Sequence, residues 1–72
     1  MRNYFHSVLE PAAFSSLLLE LKETYGLEPE PHYGGQLILK DGEPILRSIN
    51  LENGQTLVYF FRPFFSNLKE GA

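Results

Sequence analysis

Two histidines, His6 and His32, and a scatter of serines are the side chains of this 72-residue chain from which nucleophilic or general-base chemistry would have to start. A serine or cysteine nucleophile becomes reactive when a base lies beside it and a third group orients that base. The serines stand in no G-x-S-x-G setting, the sharp turn that lifts a catalytic hydroxyl above a sheet. His6 lies in an N-terminal arm and His32 in a proline-containing linker. The ordinary reading of each is a solvated or packed imidazole. Glu28, Glu30 and His32 alternate along the linker and would share one side if it is extended. A zinc site, however, needs three or four converging ligands, and the chain has no cysteine. Gly34-Gly35 precedes a strand rather than a helix, so it reads as a backbone hinge and not as a phosphate-binding loop. The expectation is no catalytic residue, no metal and no cofactor.

Charge suggests recognition rather than catalysis. The net charge is −3, which disfavours general binding to nucleic acid, where phosphate neutralisation dominates affinity. Glu20, Glu23, Glu28 and Glu30 crowd the helix end and linker with Lys22 as the one base among them. They read as a solvated acidic surface, or as a steering patch for a basic groove on a partner such as a nucleic-acid-binding protein. The run Tyr59-Phe60-Phe61-Arg62-Pro63-Phe64-Phe65 is the densest apolar feature. With six Lys and Arg in the whole chain, it lacks the basic surround that base stacking or membrane-surface binding requires. It reads as a last strand with a tail anchor, or as a partner anchor.

The elements that must position these groups follow from turns and periodicity. Asp41-Gly42 and Asn53-Gly54 are dipeptides that favour two-residue hairpin turns. They predict a three-stranded antiparallel meander of Gln36–Lys40, Glu43–Leu51 and Gln55–Arg62. Phe14, Leu17, Leu18, Leu21 and Tyr25 recur at helical spacing and predict a helix over 11–25. Pro11 opens it, Gly26 closes it, and Leu19 falls off the stripe. Residues 1–9 are an arm or edge strand, 27–35 a linker held extended by Pro29 and Pro31, and 63–72 a tail whose end, Lys69–Ala72, is expected to fray. The predicted fold is a single α+β domain: one amphipathic helix packed on a three- or four-stranded antiparallel sheet, in the order αβββ or βαβββ.

Two-residue loops at both turns would pair Ile38 with Ile45 and Ile49 with Val58. One sheet face would then hold Ile38, Ile45, Ile49, Leu51, Val58 and Phe60 with Lys40, Glu43, Arg47 and Arg62. The other would hold Leu37, Leu39, Leu46, Leu57, Tyr59 and Phe61 with Ser48 and Asn50. The second carries no charge, so the helix is placed against it. The first is left apolar and uncovered. Leaving about 400 Å² of apolar surface wet forgoes roughly 10 kcal/mol, comparable with a domain's whole stability. Either the arm and the Phe64-Phe65 tail roof that face, or it meets another surface. A three- or four-residue loop at Lys40–Pro44 would flip the first strand's faces.

The leading expectation is a non-enzymatic protein-binding module, a small inhibitor or adaptor. Ile38, Ile49, Val58 and Phe60 are its expected apolar contacts, Arg47 and Arg62 its polar anchors, and Glu20, Glu23, Glu28 and Glu30 its steering patch. Phage-encoded inhibitors of host defence nucleases are one class of tiny acidic protein of this kind, an analogy of size and charge alone. The second expectation is a homodimeric subunit whose open faces pair. The third is a ligand-binding domain or enzyme using His6 or His32 with Tyr33. No segment has the roughly 20 apolar residues of a membrane span or a signal-peptide pattern, so the expected setting is cytoplasmic.

Overall fold

The computed structural model describes residues 3–71, with side chains through Ser66. The chain forms β1 (Tyr4–Leu9), α1 (Pro11–Tyr25), β2 (Glu30–His32), β3 (Gly35–Lys40), β4 (Glu43–Asn50), β5 (Thr56–Phe61) and α2 (Arg62–Gly71). The strands make one antiparallel sheet in the order β1-β5-β4-β3-β2. The α+β class, the helix over 11–25 and the arm as an edge strand agree with expectation. The linker adds a fifth strand, and the tail is a second helix rather than an irregular end. The expectation of fraying at Lys69–Ala72 lies outside the residues whose side chains are described.

α1 forms where its periodicity says. Phe14 and Leu21 are buried, Leu17 and Leu18 half-buried, and Leu19 points out at 54% exposure. Gly26 ends it at φ 71°, and its amide donates to the Lys22 carbonyl at 2.8 Å. Leu27 then packs back on the core. Pro63 sits in the first turn of α2, where its missing amide costs nothing.

Register, rather than element type, is where the sheet departs from expectation. The first hairpin closes as predicted, with Asp41 and Gly42 at φ 54° and 83° and Lys40 opposite Glu43. A bulge then intervenes: Leu39 pairs with Pro44 but Ile38 pairs with Leu46, which leaves Ile45 as the extra residue. Ile45 and Leu46 are therefore both buried despite being neighbours. In the second hairpin Gly54 alone takes positive φ, at 92°. The Gly54 amide donates to the Leu51 carbonyl and the Leu51 amide to Gln55. Glu52–Gly54 is thus a three-residue loop, and Ser48, not Ile49, faces Val58.

That one-residue slip exchanges the faces. Ile38, Ile45, Leu46, Val58 and Phe60 join Phe14 and Leu21 of α1 and Phe65 of α2 in a single core. Ser48 and Thr56 are buried on the same side. A chain of ring contacts links the layers: Phe5 to Phe60 (5.0 Å between centroids), Phe60 to Phe65 (4.9 Å), Phe65 to Phe64 (4.9 Å) and Phe64 to Tyr25 (5.3 Å). The aromatic run therefore binds α2 to the face that α1 already covers. Among the described residues neither terminus roofs the far side.

Candidate functional site: the open sheet face

Paired residues share a face, so the register reads out the uncovered surface in rows. The central row crosses all five strands as His6, Tyr59, Arg47, Leu37 and Glu30. The next row holds Val8, Leu57, Ile49, Gly35 and His32. On the other side Tyr4 pairs with Phe61, and Leu39 with Pro44. The Tyr4 hydroxyl reaches past β5 to donate to the Pro44 carbonyl at 2.8 Å, which closes that end.

The result is a hollow of about 560 Å³ along β3 and β4, lined chiefly by Tyr4, His32, Leu37, Arg47, Ile49 and Tyr59. Its walls are mostly aliphatic and aromatic. Arg47 is exposed at the centre of the face and makes no ion pair with the described residues. No other cation of the described residues lies on this face. A guanidinium on an apolar floor is suited to a carboxylate, which it can bind with two parallel hydrogen bonds.

The expected contact residues are redistributed. Ile38, Val58 and Phe60 are corrected to core positions, at 0%, 0% and 8% exposure, because the bulge and the three-residue loop turn them under the helices. Arg47 and Ile49 lie on the open face as expected. Arg62 starts α2 on the helix side, with its guanidinium 5.2 Å from the centre of the Phe5 ring. Sequence reasoning missed Leu37, Tyr59, Tyr4 and His32 as members of the open face. The signal for the last was Tyr33-Gly34, a two-residue turn that joins β2 to β3.

The four glutamates do not make one patch. Glu20 and Glu23 are exposed on α1, and Glu28 approaches Lys22 there at 4.0 Å. Glu30 stands on the opposite sheet face, at its β2 edge. It shares that face with His32, while Glu28 does not; no group of three metal-ligating side chains gathers among the described residues. His6 packs against Tyr59 with centroids 5.7 Å apart, outside the hollow. No helix of the described residues is long and apolar enough to cross a membrane.

No family model, curated protein or solved structure matches the chain.

Proposed function

We propose that this chain is a non-enzymatic protein-binding module, an inhibitor or adaptor that seats part of another protein on its open sheet face. The observation that carries the reading is the hollow itself: an apolar floor, uncovered by either helix, with Arg47 at its centre. Exposed apolar patches of this kind mark interaction surfaces, and arginine with aromatic neighbours is the composition of interface hot spots. The partner segment is extended and aliphatic, with one carboxylate set against Arg47. Glu20, Glu23 and Glu28 remain on the helix side as a solvated acidic surface that favours approach by a basic partner. The lining of the hollow is chiefly aliphatic and aromatic, which supports the seating of an apolar segment.

The test is capture from native lysate with the intact chain as bait, followed by titration of the captured protein. Arg47→Glu and Leu37→Glu alter the floor without touching the buried core, so both variants are expected to stay folded and to lose affinity at least tenfold, about 1.4 kcal/mol. Folded variants that bind at full strength would overturn the assignment of this face.

A further inference from the structure

The two edges of the sheet are unlike. β2 is three residues long and contains Glu30 and Pro31, the short, charged, proline-bearing form by which proteins blunt an edge. β1 is six residues, Tyr4–Leu9, with no charge and no proline. His6, Ser7 and Val8 are exposed in succession, so both faces of the strand are open there.

Backbone geometry says which groups this edge presents. The Arg62 amide donates to the Asn3 carbonyl, and these two residues continue the β1–β5 register. Asn3 and Arg62 are therefore a hydrogen-bonded pair, and such pairs alternate along an antiparallel ladder. Phe5, Ser7 and Leu9 turn their amides and carbonyls toward β5. Tyr4, His6 and Val8 turn theirs outward, where no backbone group of the described residues meets them.

We propose that β1 pairs with the β1 of a second copy, antiparallel across a two-fold axis at His6, so that two five-stranded sheets become one of ten strands. This register sets Tyr4 against Val8 of the second copy, His6 against His6 and Phe5 against Ser7. It engages all three outward-facing residues in hydrogen-bonded pairs, about six bonds in total. No charge within the strand meets its own copy. The strand is its own complement in this register: every outward amide and carbonyl of Tyr4, His6 and Val8 meets a counterpart on the copy, and no like charges are opposed. That self-match selects a second copy over an unrelated strand. His6 and Tyr59 are on the open face, so pairing makes the two open faces one continuous surface.

A six-residue edge buries less than the roughly 1,000 Å² of a long-lived interface, so a Kd on the order of 10–100 µM is expected. Sedimentation of the intact chain across about 5 µM to 1 mM tests this range, with the mass rising from 8.2 kDa toward twice that value. His6→Pro removes an outward amide together with the His6–Tyr59 ring contact and leaves the hydrogen bonds of the β1–β5 ladder in place; it is expected to weaken dimerisation at least tenfold. Val8→Lys, at a position 48% exposed, blunts the same edge by charge and decides the matter if the proline variant unfolds. Ile49→Glu, central on the open face, is expected to dimerise like the parent. A parent chain that stays monomeric to the highest concentration overturns the proposal. So does dimerisation undiminished in a folded edge variant, or dimerisation abolished by Ile49→Glu.

Discussion

Gly35 passes so close to Ser48 that a Cβ on it would lie 1.7 Å from the Ser48 carbonyl oxygen. The obstacle is backbone in the middle of the sheet, so no rotamer change relieves it. Gly35→Ala is therefore expected to destabilise by about 3 kcal/mol or more, at the upper end of what overpacking costs. Urea denaturation of the two chains measures it, and a variant of parental stability would show that the strands do not approach in this way.

Ser48 has a second task. Its hydroxyl, in a residue only 1% exposed, accepts the Gln36 amide at 2.9 Å. Ser48→Ala removes this part-buried hydrogen bond and is expected to cost about 0.5–1.5 kcal/mol. The midpoint of denaturation should fall with its slope unchanged, since the surface exposed on unfolding is the same.

Tyr33 is held at φ 31° in the two-residue turn before Gly34, and its side chain is 88% exposed. Left-handed backbone costs an ordinary residue about 1–2 kcal/mol, whereas Asn tolerates it and Asn-Gly is the favoured dipeptide of such turns. The present side chain recovers part of that cost through its edge contact with His32, centroids 4.8 Å apart. Tyr33→Asn is expected to raise stability by about 0.5–1 kcal/mol, read as a higher melting temperature. A lower one would mean that the ring contact outweighs the strain.

The assignment of faces is open to a direct comparison. Phe60→Ala is expected to cost about 3–5 kcal/mol and Leu46→Ala about 2–5, because both lie in the core. Leu39→Ala, at a position 40% exposed on the open side, is expected to cost less than about 1 kcal/mol. The register expected from two-residue loops implies the reverse for Phe60 and Leu39. Parallel thermal melts of the three variants separate the two registers.

Much of the fold was legible because it depends on local signals. The helical spacing of Phe14, Leu17, Leu18 and Leu21, the left-handed stop at Gly26 and the positive-φ pair Asp41-Gly42 each act over a few residues. The open face was legible in outline, since one helix stripe covers one side of a sheet. Its membership was not. Asn53-Gly54 marks a turn but does not say whether two or three residues make it, and the choice inverts every side chain on one strand relative to the other. Nothing in Pro44-Ile45-Leu46 announces the bulge; it is favoured by what it achieves, the burial of Ile45 and Leu46 together under the helices. Arg47 and Ile49 were placed on the open side by the same pairing that put Ile38, Val58 and Phe60 beside them, and only the first two lie there.

The sequence by itself determined the class of the fold, the position of α1, the three strands of the meander and the excess of apolar sheet surface over helix to cover it, because propensity, periodicity and turn chemistry are carried by neighbouring residues. Only the tertiary structure decided which surface is the excess one. That choice rests on the relative burial of Phe60, Val58 and Ile38 against Tyr59, Leu57 and Leu37, sets of nearly equal hydrophobicity. It is settled by which of them interlock with Phe14, Leu21 and Phe65 from elements distant in the chain. The swing of α2 onto the face of α1 has the same origin: Phe65 and Phe64 find the rings of Phe60 and Tyr25 there, and the described residues leave the far side bare.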